Sequence, residues 1–399
     1  MKKYSIDFQN DFQLDVPELS EHWDDIVEDL HAAKCPVARS TVGEGYYVLT
    51  QDADVRQAGR DWQTFSSTSG FMPNRPADMP YWYPVECDPP FHDDLRSYLN
   101  PHLSPRAFSD REPEIRGHAE ALVEEFLDAG KADVVAQYSS VLPGIVFCDL
   151  VAGIPLADLP ELTHQLHLGL LGPLEGRGAA MSEVQQYMSE YLKRRQAEPK
   201  RGDIVDAILE VDLPGYEWDD RCGTLSQLTL GGVGTTGHVI ASAIHWLAGR
   251  PDMRERLRQP GAIDQRVIEE WVRIFQSSPH DGRRVTTEVE LGGHAFKPGD
   301  YVVLGYGEAC RDPQVFENPR EIDIDRFPNP HIGFGTGPHR CIGSHLARIQ
   351  VRVALEVFLD KIPDFALEPG FTPGYETGIT RSMTELRVEF PRVESEAAQ

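Results

Sequence analysis

Residues 334–343 read FGTGPHRCIG, which sets Cys341 among three glycines at the entrance of SHLARIQVRVALEVFLDKI, a stretch with the periodicity of a buried helix. A thiolate at a helix N-terminus gains from unpaired backbone N–H groups and from the positive end of the helix dipole. The sequence therefore predicts a lowered pKa for Cys341 and a role as nucleophile or metal ligand. Gly335, Gly337 and Gly343 allow positive φ and let the backbone approach something flat and large. A haem face meets that requirement. Two plainer readings compete: an inert buried cysteine, and a zinc site drawing on His331, His339 and His345. Zinc neither matches the histidine spacings nor accounts for the glycines.

A second glycine cluster lies in LSQLTLGGVGTTGHVIASAIHWLAGR. Gly232, Gly234 and Gly237 spell GxGxxG, but no convincing buried strand precedes them and no second parallel strand follows, so a dinucleotide fold is excluded by context. Leu225, Leu228, Val239, Ile240, Ala243, Ile244 and Leu247 suit one long helix running through the glycines. Each interior glycine costs about 1 kcal/mol relative to Ala, which a helix that bends open against a flat ligand would explain. Thr235 and Thr236 would bring hydroxyls to the opened turn, or simply back-bond to a carbonyl. A third constellation is EEWVR, where Glu270 and Arg273 stand one turn apart, the usual spacing of a surface ion pair.

These groups must be carried by a mainly α chain with a minor β part. Helical patterns run through DREPEIRGHAEALVEEFLDAG, SEVQQYMSEYLKRRQAE, DMRERLRQ, IDQRVIEEWVRIF and the segment after Cys341; GEGYYVLTQDADVRQAGRDWQTFSS reads as strand, turn and short helix, and LGGHAFKPGDYVVLGYGEACRDP as a hairpin and turn. No linker, repeat or low-complexity block interrupts the 399 residues, so one large domain over 1–399 is expected, ending in the tail VESEAAQ. With 38 basic and 64 acidic residues the net charge is −26, which argues against nucleic-acid binding. The polar, acidic N-terminus is neither signal peptide nor membrane anchor, so a cytoplasmic protein is expected. The six cysteines are scattered, without a disulfide pattern.

Taken together, these motifs resemble the cytochrome P450 family of haem-thiolate monooxygenases over nearly the whole chain. The cysteine loop matches at Phe334, Gly335, Gly337, Cys341 and Gly343. By that resemblance Glu270, Arg273 and Arg326 form the family's Glu-Arg-Arg triad, which holds the cysteine loop on the core. His92 and Arg96 in DPPFHDDLR, with Arg284 and His339, are implied partners of the haem propionates. Thr235 is implied as the alcohol of the oxygen-binding helix. Here the chain departs from pattern, because Gly234 stands where the family commonly has an acid.

The resemblance implies haem b held by the Cys341 thiolate, whose electron donation favours O–O cleavage, and insertion of one oxygen atom into a small apolar or aromatic organic molecule. Electrons would come from a separate ferredoxin with an NAD(P)H-dependent reductase, docking near Arg340, since no reductase is fused to the chain. A peroxide-driven or non-oxygenating haem-thiolate catalyst and a haem-based sensor remain alternatives. The implied pocket takes in SSTSGFMPNRPADMPYWYPVE, the threonine helix, SSPHDGR and GITRSM, with Phe71, Met72, Tyr81, Gly231, Pro279 and His280 as candidate wall residues.

Overall fold

The computed structural model describes residues 3–75, 79–172, 174–376 and 378–392; the tail VESEAAQ and Pro76–Asp78 of the implied pocket wall lie outside them. Long helices form its bulk. Glu112–Leu127 packs on Ser344–Lys361, and Thr235–Ala248 crosses both Ser344–Lys361 and the segment Val135–Ser139. Their contact surface is made of side chains that alternate at helical spacing, among them Ile115, Leu122, Ile240, Ile244, Val351 and Leu355, all buried. Val135–Ala152 is long and apolar enough to span a membrane, but 67% of it is buried in this core, which accounts for its composition.

A five-stranded sheet flanks the helical mass in the order Val37–Ser40, Tyr46–Leu49, Tyr301–Gly305, His280–Val285, Phe65–Ser66. Only Tyr46–Leu49 and Tyr301–Gly305 run parallel. In the antiparallel register Arg283 faces Val302 and Arg284 faces Tyr301, so the two arginines project from opposite sides of the sheet. Two smaller apolar clusters cover this sheet, one built on Phe8, Phe12, Trp23 and Ile26, the other on Val55, Phe65, Val302 and Leu304.

The glycine-rich segment forms two helices, Trp218–Val233 and Thr235–Ala248, with the break at Gly234. The interruption divides what the sequence reads as one helix, with Gly234 itself in the right-handed helical region. Reciprocal capping by Glu217 and Asp220 fixes the start of the first helix, while Gln265–Ile274 starts at Asp264, whose carboxylate accepts the Arg266 and Val267 amides at 2.9 and 3.3 Å.

Candidate active site

The four glycines at the helix break divide into two pairs. A Cβ at Gly232 would strike the Phe147 ring at 2.5 Å and one at Gly237 the Ser139 carbonyl at 2.5 Å, so these two permit close helix packing. Nothing lies within 4 Å of the position a Cβ would take at Gly231 or Gly234. Those two glycines widen the face on which Thr235 stands. Its Oγ1 donates to the Gly231 carbonyl at 2.8 Å, so the hydroxyl is held at the break with lone pairs free to accept a hydrogen bond.

Cys341 precedes the helix Ser344–Lys361, against which Thr235–Ala248 packs. The loop is fixed by the Cys341 amide donating to the Phe334 carbonyl at 2.8 Å, and Gly335 and Gly337 adopt φ of 74° and 69°. Gly337 serves protein packing, since a Cβ there would lie 2.0 Å from the Gly59 carbonyl oxygen. Gly343 departs from expectation with φ of −83°; it leaves room beside the sulfur, its notional Cβ lying 4.0 Å from Cys341 Sγ. Among the free cysteines Cys341 is the exposed one, yet protein atoms surround it densely, as expected of a sulfur lining a recess.

The expected lowering of the Cys341 pKa is not found. Burial raises it, and the opposing pull of the Gly343 amide, Arg96, Arg340 and Arg348 does not compensate. A thiol in this setting gains its negative charge from a bound cationic centre more readily than from the helix dipole alone.

Beside the cysteine, cationic and imidazole donors converge. The His92 and His339 rings lie 4.4 Å apart. His92 Nδ1 pairs with Asp93 at 2.8 Å, which leaves Nε2 buried without a partner. Among the described residues Arg96 reaches only the Asn100 side-chain oxygen at 3.0 Å and the Arg340 carbonyl at 3.1 Å. His339 Nε2 meets the Ser67 hydroxyl at 3.0 Å. Burial, then Arg283, His92 and Arg96, hold His339 well below the usual histidine range, so its ring is neutral. Arg283 pairs with Asp281 through Nη1 at 2.9 Å while its Nη2 is buried and unpartnered. Orphaned donors crowded by like charge suit a flat group carrying two carboxylates, which is the shape and charge of haem.

Two expectations are corrected here. Arg284 does not join this group: its Nη1 donates to the Gly299 carbonyl at 2.8 Å and its guanidinium covers the Tyr301 ring, because strand alternation turns it away. Arg283, on the other face of the strand, is turned toward this group instead. His280, on the same face as Arg284, is also absent from the pocket. It is sealed between Phe12 and Trp23 with Nε2 bonded to Glu308 Oε1 at 3.0 Å, both side chains fully buried. Of the remaining wall candidates, Phe71 and Met72 are buried, with Phe71 stacked on Trp82 at 5.7 Å. Tyr81 is 48% exposed, and the Pro279 carbonyl accepts the Gly307 amide at 3.0 Å.

Glu270, Arg273 and Arg326 meet in one buried network. Arg273 Nε and Nη2 grip Glu270 at 2.8 and 2.7 Å, Arg326 Nε approaches at 3.1 Å, and the Asp323 amide and Asn329 side chain add 2.9 and 3.1 Å bonds to the same carboxylate. Burial works against its ionisation, but Arg273 and the other donors hold it below the ordinary value. The sequence reading missed the neighbour, Glu269. His331 Nε2 donates to it at 2.7 Å and Arg348 at 2.6 and 3.0 Å, so one carboxylate ties the chain before the cysteine loop to the helix after it. The Gly333 amide donates to His331 Nδ1 at 3.1 Å, which fixes the tautomer, and the Arg348 guanidinium lies 4.4 Å over Phe334. Burial opposes ionisation of Glu269, yet His331 and Arg348 prevail and bring its pKa to about 2.

A mainly helical fold with a glycine-framed thiol and, beside it, a cluster of cationic and imidazole groups suits a haem-thiolate protein. Comparison with known sequences agrees. The cytochrome P450 family model matches residues 263–368. The steroid C26-monooxygenase of Mycolicibacterium smegmatis is 32% identical over 84% of this chain and 82% of its own, and the linalool 8-monooxygenase of Pseudomonas putida is 31% identical over 71% of each. Among solved structures, CYP109E1 from Bacillus megaterium in complex with testosterone superposes with a TM-score of 0.84 at 25% identity, over 94% of this chain and 99% of that one. CYP101J2 gives 0.84 at 23% identity over 98% and 100%, a likeness of fold. The chain belongs to the cytochrome P450 family. It is a haem b monooxygenase.

Proposed function

We propose that the protein inserts one oxygen atom of O2 into a small, largely apolar organic substrate, with electrons delivered by a separate ferredoxin and its NAD(P)H-dependent reductase. When bound, haem supplies the oxygen-activating chemistry. This chain's residues then have distinct tasks: the Cys341 sulfur would ligate the iron, while His92, Arg96, Arg283 and His339 would hold the propionates. Thr235 would position a water at the break and so pass a proton toward the distal side. The observation that carries the reading is the exposed yet densely surrounded Cys341, flanked by unpartnered buried donors. The names of the steroid and linalool relatives support an apolar substrate. Exposed Arg340, on a chain of net charge −26, supports a local basic surface for an acidic electron donor.

The reduced carbonyl spectrum of the haem-loaded protein tests the assignment. A thiolate-type Soret band is expected, followed by a low- to high-spin shift on adding apolar terpenoids or steroids. A band typical of imidazole or thiol ligation would sink the thiolate assignment. Turnover with NAD(P)H, ferredoxin and reductase but not with hydrogen peroxide separates the monooxygenase from the peroxide-driven alternative.

A further inference from the structure

One face of the helix Trp218–Val233 presents Gly223, Gln227 and Gly231 at four-residue intervals, stacked one turn above another. The two glycines mark where that face points. A Cβ at Gly223 would meet the Tyr81 carbonyl oxygen at 2.1 Å and Trp82 Cδ1 at 4.0 Å, so this turn lies directly against the segment that walls the pocket. At Gly231 no atom lies within 4 Å, and four residues later Thr235 carries the hydroxyl at the break. Gln227 sits between, with the pocket wall on one side and the widened face on the other.

The side chain is half-buried, and its buried Oε1 accepts no hydrogen bond from any described residue. The other polar side chains of this helix contrast with it. Ser226 donates to the Cys222 carbonyl at 2.9 Å, Thr229 to the Leu225 carbonyl at 2.7 Å and Thr224 to the Asp220 carbonyl at 2.8 Å. Buried polar atoms in native proteins are almost always paired, and leucine would fill the same space without the desolvation penalty of an unpaired amide. One turn before Gln227, Gly223 lies against Tyr81 and Trp82, and Phe71 stacks on Trp82, so the neighbouring wall is largely aromatic. A single amide in such surroundings is suited to fixing the orientation of an otherwise apolar ligand.

Building on the monooxygenase reading above, we propose that Gln227 anchors the substrate by hydrogen-bonding a hydroxyl, carbonyl or amide group at the end remote from the oxidised carbon. The helix rise makes it a ruler. At 1.5 Å per residue, Gly231 is about 6 Å and Thr235 about 12 Å along the axis from Gln227. The substrate is thus an elongated apolar molecule with one polar terminus roughly 6–12 Å from the carbon that is oxidised.

Imidazoles carrying linear N-alkyl tails of two to ten carbons, each prepared with a methyl and with a hydroxyl terminus, measure this distance. Ring-nitrogen ligation, read as a red-shifted Soret band, fixes one end of the probe at the iron. In wild type the ratio of hydroxyl to methyl affinity should peak at one tail length, by about three- to tenfold, the range of one net hydrogen bond. In Gln227→Leu the peak should vanish. In Gln227→Asn, one methylene shorter, it should move to a tail one carbon longer, which keeps the test decisive if the leucine variant folds poorly. A flat ratio in wild type, or a peak retained in Gln227→Leu, overturns the anchor. Should imidazole itself give no ligation shift, the haem reading fails and takes the anchor with it; a normal shift with a flat ratio removes the anchor alone.

Discussion

The helix Gln265–Ile274 and the helix pair Trp218–Val233 and Thr235–Ala248 treat polar groups in opposite ways. On Gln265–Ile274 both acidic side chains are saturated: Glu270 receives five donors from Arg273, Arg326, Asp323 and Asn329, and Glu269 receives three from His331 and Arg348. On the helix pair the working positions are left open. Gly231 and Gly234 contact nothing where a side chain would be, and Gln227 Oε1 accepts no hydrogen bond from any described residue. A ligand that stays needs a rigid seat, whereas molecules that come and go need unsatisfied groups and room. The contrast separates a holding side from a reacting side.

Four substitutions attack the holding side, in descending order of effect. Cys341→Ala should abolish the thiolate signature of the reduced carbonyl spectrum, because the other cysteines are buried or half-buried outside the glycine loop. An unchanged spectrum would remove Cys341 from the iron. Glu270→Ala or Arg273→Ala leaves an uncompensated charge at a site with zero exposure, a loss of about 3–5 kcal/mol. Mostly haem-free or insoluble protein is the expected product, and full haem content in both variants would refute a holding role for the pair.

Glu269→Gln is milder and has a pH signature. The Glu269 carboxyl is depressed from an unfolded value near 4.5 to about 2, so its contribution to stability is complete above 4.5 and is lost as pH falls toward 2. At neutral pH the variant should lose about 1–3 kcal/mol, seen as a lower Tm. Between pH 4.5 and 2 the wild type should lose Tm more steeply than the variant, so the two curves converge. Parallel curves over that interval would mean that the His331–Glu269–Arg348 bridge does not hold the loop.

How much of this was legible beforehand follows the same division. The cysteine loop and the Glu270–Arg273 pair are short, local patterns that the sequence shows directly, whereas Arg326, 56 residues from Glu270, is implied only by the family resemblance. The Glu269 bridge could not, because its partners lie 62 and 79 residues away and nothing local distinguishes it from a surface carboxylate. Arg284 and His280 were misplaced by a one-residue question of strand register. A strand turns successive side chains to opposite faces, and GRR alone does not say which arginine faces inward. The thiol acidity failed for another reason: the helix dipole is readable from sequence, but the opposing burial is a property of the assembled core.

The reacting side is probed by Thr235→Ala, the smallest change to structure and the sharpest to function. The Thr235 hydroxyl makes one back-bond to Gly231 at a half-buried position, so its loss should shift Tm little, within about 0.5 kcal/mol of stability, and should leave haem content unchanged. Substrate affinity, read from the spin-state shift, should also stay close to wild type, because apolar contacts to Phe71, Met72 and Trp82 are untouched. Proton delivery is different. A positioned donor contributes on the order of 10²–10⁴-fold to such a transfer, and with Gly234 in place of an acid Thr235 must act by its hydroxyl alone. Thr235→Ala should therefore divert much of the NAD(P)H consumed into hydrogen peroxide, while Gly234→Asp, which fits because nothing lies within 4 Å of the new Cβ, should change coupling without changing binding. Product formed per NAD(P)H consumed is the measurement. Unchanged coupling in Thr235→Ala would reduce the hydroxyl to a helix back-bond, and protons would then have to travel through water entering past Gly234, since His280 is bonded to Glu308 and sealed behind Phe12 and Trp23.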